Sequence, residues 1–184
     1  EIGSGLVGSE MCIRDSPQSI STWGDSAVEV PWTLYMESGD PQVLADSYDL
    51  SRDWVNEVEQ YLSPDGVWDR KPDFPLGQLG DWLDPTAPPE DPTQAMTAKE
   101  LVATAFYARS CIQITRIAEI LGYADDAARY AALRDHVIAG FLDRFIRLDG
   151  TMTSDTQCAY ALAIAFGLLL SLIHISEPTR PEPI

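Results

Sequence analysis

The stretch from Ser63 to Met96 sets Asp65, Asp69, Asp73, Asp81 and Asp84 among the rings of Trp68, Phe74 and Trp82. An indole offers a flat apolar face to the C–H side of a pyranose ring, and carboxylates accept hydrogen bonds from its hydroxyls. Prolines at 64, 72, 75, 85, 88, 89 and 92 lower the entropy cost of holding such groups in one arrangement. Irregular segments this long are uncommon in compact domains, and when ordered they usually serve a function. Residue types alone leave two readings: a sugar-binding rim centred on Leu79-Gly80-Asp81-Trp82-Leu83-Asp84-Pro85, or a connector whose tryptophans pin it to the core.

Other chemistries find little to work with. His136 and His174 are the two histidines, and Cys111 and Cys158 sit on apolar helical patterns without metal spacing. Neither a phosphate-binding glycine loop nor a zinc spacing is present, so no metal and no cofactor is expected. The formal net charge of -17 argues against nucleic acid and anionic membrane as partners.

The two ends read differently from the rest. Residues 6–16 back-translate to a DNA string whose reverse complement, in one frame, encodes residues 170–180. Folding gives no reason for such a relation; it resembles a translated transposase-type sequencing adapter. The expected division is therefore 1–16 and 170–184 as adapter-derived, with 17–169 as the protein segment. Cys12 and His174 then drop out, and the apolar run from Phe166 to Ile175 is too short to span a membrane. A soluble protein is expected, its compartment open between cytoplasm and export.

The elements that must carry the rim read as helices. Gly24-Asp25-Ser26 opens the first, with Gly24 or Asp25 near its N-cap, and Pro31 implies a late start or a kink. Asp40-Pro41 starts a second, to about Leu62. Thr97-x-x-Glu100 has the form of a capping box for a third, closed by Gly122. A fourth, about Asp125 to Leu148, buries Tyr130, Leu133, Val137, Phe141, Phe145 and Leu148. A fifth starts near Ser154 or Asp155 and runs through Phe166. No segment alternates convincingly with period two, so the fold class is all-α: antiparallel hairpins with one long irregular loop. Solenoid and closed toroid both fit; the absence of an internal repeat favours the toroid.

Trp23-Gly24-Asp25-Ser26-Ala27-Val28-x-Val30-Pro31-Trp32-Thr33-Leu34-Tyr35 resembles a segment of the bacterial α-L-rhamnosidases. Gly39-Asp40, Tyr48, Trp54-Val55, Gly80-Asp81-Trp82-Leu83, Leu101-Val102-Ala103-Thr104-Ala105, Thr153-Ser154-Asp155-Thr156-Gln157 and Ala159-Tyr160-Ala161-Leu162-Ala163 continue the resemblance in order. It implies part of an (α/α)6 toroid and a glycoside hydrolase that releases terminal α-L-rhamnose from glycosides with inversion. That chemistry uses one carboxylic acid on the leaving oxygen and one carboxylate on water.

The resemblance places the acid in a motif upstream of the Trp23 segment and the base downstream of this chain, so it implies no catalytic residue here and an inactive fragment. For substrate contact it points to Asp25, Asp81 and Trp82, and more weakly to Trp23, Asp84, Asp155 and Gln157. Asp25 serves equally as an N-cap. Asp155 and Gln157 suit helix capping, Trp23 and Trp32 suit the core, and His136 is read as structural. The expected ligand is a rhamnose-containing glycoside or oligosaccharide. Alternatives are another inverting glycosidase of the same architecture and a non-enzymatic helical-repeat scaffold.

Overall fold

The computed structural model describes residues 20–70, 78–82, 84–91 and 94–169. Expectations for the two ends, for Asp73, Phe74 and Leu83, and for the prolines at 72, 75 and 92 lie outside these residues. Helices α1 (Ser26–Ser38), α2 (Pro41–Glu59), α3 (Lys99–Leu121), α4 (Ala124–Phe145) and α5 (Gln157–Ala165) follow one another. Among the described residues the sole β feature is an isolated antiparallel bridge, Ile146 with Met152. Among the described residues no helix is long and apolar enough to cross a membrane.

Short turns make hairpins. Gly39-Asp40 separates α1 from α2, and Gly122-Tyr123 separates α3 from α4, with both glycines left-handed. Asp40 caps α2 by accepting from the Gln42 N–H at 2.9 Å, with Pro41 in the first turn, as the sequence predicts. α3 packs on all four other helices. α1, α3 and α5 form one layer; α2 and α4 form the other and reach each other through Arg129, which donates to Asn56 and Glu59.

α3 is the centre of the core because it is apolar almost all round, with Leu101 to Ala105, Tyr107, Ala108, Cys111, Ile114, Ile117 and Ala118 buried. Onto it fold Leu44, Trp54, Val55 and Val58 of α2 and Tyr130, Val137 and Phe141 of α4. Trp68, at the head of the long loop, is fully buried and meets Trp54 and Tyr107 edge-on at 6.1 and 6.0 Å. It serves the core and not the rim, so for this ring the pinning reading holds.

Several local expectations need correction. Pro31 lies inside a continuous α1. A proline leaves the carbonyl four residues back without its helical donor. Here Ser51 of α2 donates its Oγ–H to the Ala27 carbonyl at 2.7 Å and restores the missing bond. The Thr97–Glu100 capping box does not form: α3 begins at Lys99, and the Thr97 hydroxyl is engaged elsewhere. Leu148, expected to be buried, is fully exposed, because α4 ends at Phe145 and the chain turns sharply through Arg147 to Gly150.

Candidate functional site

In a layer of alternating hairpins the loops before α3 and α5 emerge at the same end, and cross-links show that they meet. Three consecutive residues do the joining. The Met96 N–H donates to Asp84 Oδ2 at 2.9 Å, and the Thr97 hydroxyl donates to Asp81 Oδ2 at 3.3 Å while lying 2.8 Å from Thr156 Oγ1. The Ala98 N–H donates to Ser154 Oγ at 3.0 Å. Asp81 and Asp84 are thereby brought to the entrance of α5, beside Asp155 and Gln157.

Gly80 makes the local turn possible. Its φ of +69° is disfavoured for other residues, and a Cβ there would stand 2.9 Å from Lys99 Cγ. Trp82 follows and is 48% exposed. Asp84 is a brace: besides Met96 it accepts from the Thr86 N–H and hydroxyl at 2.8 and 2.7 Å. Those donors hold its carboxyl below the usual carboxylate range, the Met96 N–H first.

At α5 the cap is Thr156, whose Oγ1 accepts from the Ala159 N–H at 3.2 Å. Asp155, expected near the cap, instead accepts from the Tyr160 hydroxyl at 3.0 Å, and Gln157 is the exposed first residue of the helix. The Cys158 thiol lies against both Thr97 and Asp81, and burial raises its pKa.

Asp25 is placed quite differently. It is 4% exposed, and its carboxylate faces inward without capping α1. Oδ1 accepts from Trp54 Nε1 at 3.1 Å and Ser110 Oγ at 2.7 Å, and Oδ2 accepts from the Thr22 N–H at 2.8 Å. Burial pushes the Asp25 pKa up from its ordinary 3.8, against the pull of these donors. Its neighbours explain the surrounding motif: a Cβ on Gly24 would lie 2.0 Å from the Trp54 ring, so only glycine lets Trp54 reach Asp25. Thr22 is held at φ 72°, a left-handed conformation costly for a β-branched residue. Ser110 is eleven residues into α3, about 16 Å along the axis from its first turn. Asp25 is therefore a strut buried between α1, α2 and α3, whereas Asp81 is held just before the start of α3 with Trp82 next to it in sequence. The structure does not bring the three together.

Trp23, read from sequence as core, is 72% exposed. Trp32 is half-buried against Tyr35. A buried glutamine that no motif flagged connects the α1 entrance to the rim: Gln78 Oε1 accepts from the Ser21 N–H at 3.0 Å. Between α1 and α3, Arg109 makes a two-point pair with Glu29, both contacts 2.6 Å, while Phe166 covers the guanidinium at 4.7 Å. The broad depression lined by Ala139, Leu142, Ile146 and Leu148 contains none of the candidate residues. Among the described residues no three His, Cys, Asp or Glu side chains converge as metal ligands would.

This architecture and these motifs have known counterparts. The sequence model described as the bacterial alpha-L-rhamnosidase 6 hairpin glycosidase domain matches residues 9–178. An alpha-L-rhamnosidase of Streptomyces avermitilis is 34% identical over 161 residues, which are 88% of this chain and 14% of that protein. The crystal structure of the Aspergillus terreus enzyme superposes with a TM-score of 0.73 at 36% identity, covering 81% of this chain and 17% of that one. A Streptomyces avermitilis alpha-L-rhamnosidase complexed with L-rhamnose gives 0.66 at 31% identity, covering 85% and 15%. The chain thus spans about one-seventh of the length of the relatives it matches. The five described helices are a partial (α/α)6 toroid with α1, α3 and α5 as one layer. By sequence model, relatives and fold, the chain belongs to the bacterial alpha-L-rhamnosidase six-hairpin glycosidase domain family.

Proposed function

We propose that this chain is part of the wall and rim of a catalytic domain that hydrolyses terminal α-L-rhamnosyl groups from glycosides with inversion, and that it has no hydrolytic activity alone. The general acid and base belong to segments of the domain outside this chain. What this chain contributes is substrate placement. The observation that carries the reading is the pairing at the rim of a carboxylate held by Thr97 with a half-exposed indole next to it in sequence. Such a pair accepts from sugar hydroxyls on one side and covers the sugar's C–H and methyl groups on the other. That one relative has been crystallised with L-rhamnose supports this choice of sugar. Asp84, Asp155 and Gln157 frame the same end and act as supports. Asp25 acts through the wall, holding Trp54 and the turn at Thr22.

The test is a chimera in which residues 20–169 replace the matching segment of the Streptomyces avermitilis relative. It should cleave an aryl α-L-rhamnoside and release β-L-rhamnose first, seen by proton NMR. Asp81→Asn and Trp82→Ala in the chimera should each lower kcat/KM by about tenfold or more, the loss of one charged hydrogen bond or one stacked ring. A folded, active chimera indifferent to both substitutions would sink the placement role. Hydrolysis by the isolated chain would refute the claim of inactivity.

A further inference from the structure

The hydroxyls at the rim have a fixed order. An ionised carboxylate only accepts, so the single proton of the Thr97 hydroxyl goes to Asp81 Oδ2. Thr97 Oγ1 is then left as an acceptor for the hydroxyl 2.8 Å away on Thr156. Thr156 Oγ1 in turn accepts from the Ala159 N–H at 3.2 Å, one of the unsatisfied donors at the start of α5. The line therefore runs one way: Ala159 N–H to Thr156, Thr156 to Thr97, Thr97 to Asp81. Each link polarises the next. On either side the backbone of the same short strap is tied down, Met96 to Asp84 and Ala98 to Ser154. Thr97 itself is buried, although a hydroxyl at its position in a capping box would face the helix it starts.

We propose that Thr97 is a positioning residue: through the line from α5 it fixes the orientation of Asp81 and the path of the segment 78–82. Its value for sugar binding rests on the reading of Asp81 as a substrate ligand; its hold on the rim does not. A buried threonine that merely fills space would be replaced without loss by valine, which has nearly the same shape. The positioning role needs the hydroxyl. It also needs Thr156, which the structure shows bonded to Thr97 and not to Asp81.

Hydrogen exchange of the intact chain, read by mass spectrometry on peptides covering 78–91 and 154–160, separates the two. Thr97→Val should speed exchange in both peptides by about two- to tenfold, the range expected for losing a hydrogen bond of ordinary strength. Thr97→Ser should restore wild-type rates. Thr156→Val should loosen the peptide around Asp81 as well, and adding it to Thr97→Val should change little more there, while the lost α5 cap adds its own loosening in 154–160. Far-UV circular dichroism on each variant checks that α1 to α5 persist. Wild-type exchange in Thr97→Val, or a Thr97→Ser variant as loose as the valine, would overturn the proposal. A second arm repeats the exchange with L-rhamnose added. Protection of 78–82 in the wild type and its loss in Thr97→Val extends the role to binding. Absence of protection in every variant would count against the sugar reading, while the unliganded rates still decide the role of Thr97.

Discussion

Replacing Asp25 by alanine would strip the acceptor from three donors at once: Trp54 Nε1–H, the Ser110 hydroxyl and the Thr22 N–H. A buried donor left without a partner costs about 1–3 kcal/mol. Trp54 and Ser110 are buried, so water does not simply take the place of the carboxylate. Removing the carboxyl also returns the cost of having buried it, which offsets part of the loss. The expected net destabilisation is about 3 kcal/mol, a large fraction of the 5–15 kcal/mol typical of a whole domain. Urea unfolding followed by tryptophan fluorescence should show the midpoint fall by about 1–2 M. Ser110→Ala, which removes one donor along with its bond, should cost about 1 kcal/mol. The pH dependence gives a further check. Because burial raises the Asp25 pKa above its ordinary 3.8, the stability linked to that shift is complete below about pH 3.8 and is lost as pH rises through the folded-state value. The advantage of wild type over Asp25→Asn should therefore narrow as pH climbs from about 4. A loss below about 1 kcal/mol for the alanine variant, or an advantage that widens with pH, would refute the strut.

Thr22→Gly should stabilise the chain by about 1 kcal/mol in the same urea assay, since glycine adopts φ 72° without the penalty borne by threonine. Gly24→Ala should destabilise by about 3 kcal/mol or prevent folding, because its Cβ would overlap the Trp54 ring; native-like near-UV circular dichroism in that variant would contradict the packing. Glu29→Gln should cost about 1 kcal/mol at pH 7 by breaking the two-point pair with Arg109. Hydrogen bonding from Arg109 lowers the Glu29 pKa from 4.5, so this contribution is present above that value and is lost as pH falls through the folded-state pKa. Wild type and variant should converge in stability scans taken into acid.

Much of the helical framework could be read from the chain, and the reasons mark where reading fails. Asp40-Pro41, Gly39 and Gly122 are local signals, so the hairpin turns fall where the sequence puts them. Periodicity likewise identifies the buried face of α4 up to Phe145. It fails at Leu148, where a turn set by Asp149 and Thr151 overrides the helical pattern. Tertiary contacts escape entirely. Pro31 reads as a kink until Ser51, twenty residues on, is seen supplying the bond that proline cannot. Thr97 and Glu100 have the spacing of a capping box, yet the Thr97 hydroxyl is drawn off by Asp81 and Thr156 from distant segments. Among the candidate residues, the sequence identifies Asp25, Asp81 and Trp82 alike by motif. The two carboxylates separate because Asp25 meets Ser110 midway along α3, whereas Asp81 meets Thr97 before α3 begins. Trp23, expected in the core, is exposed, and Trp68, left open between rim and core, is buried: an indole's chemistry does not say which surface it will meet.

The claim at the centre of this account is that Asp81 and Trp82 form a rim that meets rhamnose. Titrating L-rhamnose into the nitrogen-15-labelled chain, with the Trp82 indole resonance assigned through Trp82→Phe, tests it most directly. The account predicts a saturable shift of that resonance and of the Asp81 and Thr97 amides, absent with D-glucose and lost in Asp81→Asn. A Trp82 indole that stays put, or that moves equally with both sugars, would contradict it.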